Sequence, residues 1–180
     1  MSDSQEQRTR QGAAIGLIAL GVAARFAPHP PNVSPLAAMA LFGGTYLSRG
    51  WAIGVPLASV VLSDLVMGLH EVIAFTWGSV ALTGLVGWWV RQHPSARRLV
   101  LASCLASTLF FVATNFGVWW LGENGTMYPK TLEGLVSCYT AALPFFRNTL
   151  LGDLAWTAGL FGLYAWSTKS RFLPGTSRAH

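Results

Sequence analysis

The residues able to do chemistry in this sequence are few, and most of them stand in apolar surroundings. Asp64 lies in VVLSDLVMGLH, Asn115 in FVATNFGVWW, and Arg147, Asn148 and Asp153 in FFRNTLLGDLAW; Arg25, His29 and Asn32 share the proline-rich stretch RFAPHPPNVSP. Ionisable side chains inside apolar segments are costly and by default mark an internal binding site. The chemistry they offer is recognition: ionic contacts and hydrogen bonds to a small polar molecule. The structural alternative is that Asp64 and Asp153 pair with Arg25 and Arg147 and fasten helices together, since buried charges are usually paired. Both readings stand for Asp153, which follows Arg147 closely in sequence. Asp64 shares its end of the chain's threading with His29 and His70, which favours recognition.

The elements that must hold these groups follow from composition. The chain has 180 residues, 52% of them hydrophobic and 11% charged, with mean hydropathy +0.45, against roughly 25% charge in soluble domains. Apolar runs cover 13–24, 36–47, 51–69, 72–90, 99–121 and 149–166, and a membrane-spanning helix needs roughly 17–25 residues. The pattern predicts an all-α integral membrane protein of six transmembrane helices. The first two runs are short and need flanking residues or thinner bilayer to span. An interrupted stretch at 135–146 reads as an outer amphipathic or re-entrant segment. No repeat or low-complexity stretch divides the chain, so 1–180 reads as one membrane domain, with a cytoplasmic tail at 1–11, the bundle at 12–168 and a second cytoplasmic tail at 169–180.

Threading six helices from the inside puts Arg8, Arg10, Arg49, Arg91, Arg97, Arg98, Lys169, Arg171 and Arg178 on one side and only Arg25, Lys130 and Arg147 on the other. That bias predicts both termini in the cytoplasm. The same placement at the ends of apolar runs explains the net charge of +5 without nucleic acid as a partner. The outer side then carries RFAPHPPNVSP, the GLHE turn at 68–71 and GENGTMYPKTLEG at 122–134. Four prolines fix φ and remove backbone donors, so RFAPHPPNVSP is expected to cross the bundle mouth as a stiff, extended lid. Beneath it a cavity walled by Trp119, Trp120, Tyr128, Tyr139, Phe145 and Phe146 is expected. The plainer reading of the prolines is that they stop one helix and start the next, with Pro35 at a helix start.

Other features have plain readings. Trp88 and Trp89 fit an interfacial aromatic belt, and Trp119 and Trp120 fit either a belt or a pocket wall. Cys104 and Cys138 make no disulfide framework or zinc pattern and read as small buried apolar residues. Asn124, Gly125 and Thr126 match a glycosylation sequon but read as a turn. No nucleophile elbow, zinc-protease or phosphate-loop motif is present, so an enzyme is not expected. Gly12, Gly16, Ala19 and Ala23 form a small-residue face on the first helix, suited to close helix approach. Ala102, Ala106, Ala113 and Gly117 read as internal packing.

Together, RFAPHPPNVSPLAAMALFGGTYL, PLASVVLSDLVMGLH, TNFGVWW and YPKTLEGLVSCYTAALPFFRNTLLGDL resemble a family of small bacterial membrane proteins grouped with the substrate-binding S-components of energy-coupling-factor vitamin transporters, over roughly 12–168. The resemblance implies a six-helix fold in the bacterial inner membrane that takes a vitamin from the extracytoplasmic side under loops. It also implies docking, through the small-residue face of helix one, to a transmembrane coupling protein driven by ATPases. The nearest named type is the solitary cobalamin-uptake S-component. By position its pocket residues resemble His29, Asp64 and Arg147, while its cobalt-ligating cysteine has no counterpart in AFTWGSV at 74–80.

The expectation is therefore a membrane uptake protein without an intrinsic cofactor that captures a small nutrient, with cobalamin the leading candidate substrate. Arg25, His29, Asn32, Asp64, His70, Asn115 and Arg147 supply polar contacts, Trp119, Tyr139 and Phe146 wall the ligand, and His29 is the candidate cobalt ligand. Two rivals belong to other classes: a haem or metal protein using His29 and His70, and a structural subunit that binds no small molecule.

Overall fold

The computed structural model describes residues 3–28, 30–47, 49–122 and 127–167. His29, the sequon at 124–126 and the tail from 168 onward lie outside the described residues. Over the rest the chain forms six α-helices with no strand among the described residues: α1 Asp3–Arg25, α2 Leu36–Tyr46, α3 Arg49–Met67, α4 Ile73–Gln92, α5 Ala96–Leu121 and α6 Leu132–Ser167. Helix α1 takes in most of the 1–11 segment expected to be a cytoplasmic tail, because residues such as Gln5, Gln7 and Arg8 are good helix formers.

Two helices, α4 and α5, are long and apolar enough to cross a membrane. The expected six spans are not all of that kind. Helix α2 has 11 residues, about 16 Å at 1.5 Å per residue, against a hydrocarbon core of about 30 Å. Its apolarity has another cause. Leu36 and every residue from Ala38 to Thr45 are buried, so α2 is enclosed by its neighbours and is apolar on all sides, as a helix buried in a bundle must be.

Helix α2 packs most extensively on α4, through glycines. A Cβ on Gly44 would lie 2.1 Å from the Gly84 carbonyl oxygen, and one on Gly87 would lie 2.4 Å from that of Leu41. Thr45 Oγ1 donates across the crossing to Gly87 O at 3.1 Å, and Arg91 Nη1 donates to Leu47 O at 2.8 Å, closing the C-terminal end of α2. Nearby, Phe42, Tyr46, Phe161 and Tyr164 interleave their rings with centroids 4.1 to 5.5 Å apart. That cluster fills the bundle at the end where α2 and α6 terminate.

The expected re-entrant segment at 135–146 is instead the first part of α6, one helix of 36 residues that runs through Pro144. Proline removes one donor from a helix but does not forbid its continuation where packing holds the turn. Serine and threonine hydroxyls within the helices return to their own backbone: Ser79 Oγ donates to Phe75 O at 2.7 Å, Thr83 Oγ1 to Ser79 O at 2.8 Å and Thr149 Oγ1 to Phe145 O at 3.0 Å. The polar groups are thus satisfied inside an apolar bundle.

Candidate functional site

At the end away from the aromatic cluster the helices part around a cavity of about 400 Å³. Its position follows from helical periodicity. On α5, Phe110, Phe111, Thr114, Asn115 and Val118 fall on one face, and on α6, Ala142, Phe145, Phe146, Thr149 and Asp153 do the same. The α1–α2 connection adds Arg25, Asn32 and Ser34, and the α3–α4 connection adds Met67, His70 and Val72.

Among the described residues two buried carboxylates occupy this end, and the structure treats them differently. Asp64 is buried, and its Oδ1 takes the Arg25 Nη2 donor at 3.0 Å. Its Oδ2 takes the Trp77 indole N–H at 2.9 Å, with His70 Nε2 at 3.9 Å. Arg25 also donates through Nη1 to Ser63 Oγ, whose own hydroxyl turns back to Ser59 O at 2.6 Å. Arg25, the last residue of α1, is thereby clamped against α3 and, through Asp64, against α4. Asp64 does not line the cavity; it holds Arg25 at the cavity wall.

Asp153 does line the cavity and is 3% exposed. Ser107 Oγ donates to its Oδ2 at 2.6 Å, while Thr157 Oγ1 reaches Ser103 Oγ at 3.5 Å one turn deeper. Among the described residues no cation pairs with Asp153. Arg147, the expected partner, is exposed, lies outside the cavity wall and has no ion pair among the described residues. The separation of the two along α6 explains this, since six residues at 3.6 per turn set the two side chains about 120° apart around the helix.

Of the residues expected to form the site, Arg25, Asn32, His70, Asn115 and Phe146 are brought together at the cavity. Trp119, Tyr139 and Arg147 are not. Trp119 Nε1 donates to Pro129 O at 3.0 Å, and Lys130 Nζ donates to the carbonyls of Trp119, Trp120 and Gly122, closing the end of α5. Tyr139 donates to Val112 O at 2.7 Å and so ties α6 to α5. Trp120 is 59% exposed and does not line this cavity. His29 lies outside the described residues. Among the described residues no group of three His, Cys, Asp or Glu gathers to hold a metal ion; Cys138 is buried, with its thiol 3.5 Å from Asn115 O.

The stretch expected to cross the mouth as an extended lid contains a tight turn. Val33 N donates to Pro30 O at 3.1 Å, and Asn32 has φ 62°, a left-handed conformation asparagine tolerates better than most residues. Asn148 Nδ2 donates to Pro31 O at 3.3 Å and Val33 packs on Gly152. The loop is pinned to α6 instead of spanning freely between helices.

A family model described as a family of unknown function, DUF6580, matches residues 5–176. The chain belongs to the DUF6580 family. No curated protein and no solved structure matches it. The DUF6580 match takes in every segment that lines the cavity, from Arg25 to Asp153.

Several residues of this DUF6580 site escaped sequence reasoning. Trp77 and Ser63 complete the setting of Arg25 and Asp64, Ser107 holds Asp153, and Phe110, Phe111, Thr114 and Thr149 complete the cavity. A signal existed for one of them: positions three and four residues from Asn115 on α5 share its face, which points to Phe111. None existed for Trp77, because a lone tryptophan near a helix start is indistinguishable from a belt residue.

Proposed function

We propose that this protein spans the bacterial cytoplasmic membrane and captures a small nutrient in the cavity bounded by α5, α6 and the α1–α2 and α3–α4 connections. The observation that carries the reading is the cavity itself, a space of about 400 Å³ at one end of the bundle, walled by aromatic side chains with a few polar groups among them. Ligand sites have this character: concave, mostly apolar, with a handful of oriented polar atoms.

A lipid surround is supported by the distribution of polarity. Ser63, Asp64, Ser79, Thr83, Ser103, Ser107, Asp153 and Thr157 are buried, while Leu62, Leu65, Leu82, Leu105, Val112 and Trp166 face outward. In water that arrangement would expose far more apolar surface than a monomer carries; in lipid it is the favourable one. Arg98 lies over the Trp89 ring at 5.0 Å at the α4–α5 turn, a pairing suited to an interface.

Uptake in the manner of a transporter S-component fits the exposed small-residue face of α1, where Gly12 and Gly16 meet nothing within 4 Å. A coupling protein's helix would pack closely there. The size of the cavity, at the lower end of sites for drug-sized ligands, favours a single-ring nutrient over a corrinoid, which would need the Pro30–Val33 turn to leave α6.

Mass spectrometry of small molecules that co-purify with the protein in mild detergent tests this reading. One compound is expected with the unmutated chain and not with Thr114→Trp, whose indole would fill the cavity. The same molecules, or none, in both preparations would contradict it.

A further inference from the structure

The structure carries one statement about what the captured molecule is; it rests on the reading of the cavity as a capture site. We propose that the ligand is an organic cation: an aromatic or alkyl ring bearing a protonated amine, seated with its ammonium on Asp153. The observation is an imbalance of charge. The other charged pair against the cavity wall is already matched, since Arg25 gives both terminal nitrogens to Ser63 and Asp64, and Asp64 receives the Trp77 indole as well. Asp153 is buried at the cavity wall with a single hydroxyl donor, Ser107 Oγ on Oδ2. Its Oδ1 receives no hydrogen bond from the described residues. A carboxylate in apolar surroundings is stabilised most by a group that brings both a positive charge and an N–H donor.

The walls agree with that chemistry. Phe110, Phe111, Phe145 and Phe146 line the same space, with the Phe111 and Phe146 rings 4.7 Å apart. Aromatic rings surround organic cations favourably through their electron-rich faces. An anionic ligand would need a free cation, and Arg25, the cation at the wall, is committed. A bare metal ion would need several ligating groups, which the described residues do not assemble. Asn115 and Thr114 each donate to their own helix, at 2.8 and 2.7 Å, which leaves their oxygens to accept from the ligand.

The test is equilibrium binding of three isosteric probes to the full chain in detergent: phenethylammonium, phenethyl alcohol and hydrocinnamate. The ammonium is expected to bind about ten-fold or more tightly than the alcohol, with the carboxylate weakest. Asp153→Asn should remove that preference while leaving the alcohol's affinity near its original value. Phe146→Leu, which keeps the acid and the fold, should weaken the ammonium several-fold and the alcohol less. It supplies the decisive comparison if Asp153→Asn fails to fold. Equal or tighter binding of the alcohol or the carboxylate would overturn the cation assignment and leave capture standing. No binding by any probe would overturn both.

Discussion

Arg25 and Asp64 show how a residue can look like a binding group in sequence and act as a fastening in the fold. The guanidinium is 11% exposed and the carboxylate 3%, so removing one partner leaves the other buried without compensation. Such losses cost about 3–5 kcal/mol, whereas replacing both by apolar groups of similar size is often neutral. Asp64→Asn is therefore expected to lower the unfolding midpoint in detergent markedly, and Arg25→Met with Asp64→Leu to recover most of it. A ligand-contacting Asp64 would give the opposite result: unchanged stability and lost binding. Which of the two acids was the anchor could not be read from sequence. Deciding it requires knowing that Trp77, from the next helix, and Arg25, from the first, reach one carboxylate while, among the described residues, Ser107 alone reaches the other.

At the scale of elements, the α2–α4 crossing is the most sharply specified contact. Gly44→Ala would put a methyl against the Gly84 carbonyl, and overpacking of this kind costs typically 1–3 kcal/mol. Gly78, on the partner helix α4 but facing open space, is the control: Gly78→Ala should be neutral or stabilise by about 0.5–1 kcal/mol through lost backbone freedom in the unfolded chain. Thermal unfolding of the two variants side by side checks both. The helices themselves were legible because apolar runs at 51–69, 72–90 and 99–121 are long and uninterrupted. The continuity of α6 was not, because Pro144, Arg147 and Asn148 interrupt the apolar pattern without interrupting the backbone. Burial of α2 was also hidden, since an apolar run of 11 residues looks the same whether lipid or protein surrounds it.

Among the described residues many large apolar side chains face outward, while hydroxyls and two carboxylates are buried beside apolar core residues such as Met39, Leu41 and Phe42. The protein is expected to stay with membranes through alkaline carbonate washing and to leave them only in detergent; release by carbonate alone would contradict a spanning arrangement. The exposed face of α1 carries a separate expectation: Gly12→Leu with Gly16→Leu should leave the unfolding midpoint within about 0.5 kcal/mol of the original, as surface substitutions do, and abolish association with the proposed coupling partner in a pull-down from native membranes. The concentration of chemistry at one end was legible because Arg25, Asn32, Asp64, Asn115 and Asp153 all fall at corresponding depths once the runs are threaded alternately. The cavity's shape was not, because it depends on which faces of α5 and α6 turn toward each other. Capture from outside, as the proposed function has it, requires that this chamber open to the exterior of the cell. Its most direct test is labelling of Ala142→Cys, in a background with Cys104→Ser and Cys138→Ser, by a membrane-impermeant maleimide added to intact cells. Labelling before any permeabilisation is the predicted result. Labelling only after the membrane is breached would put the chamber on the cytoplasmic side and contradict capture from outside.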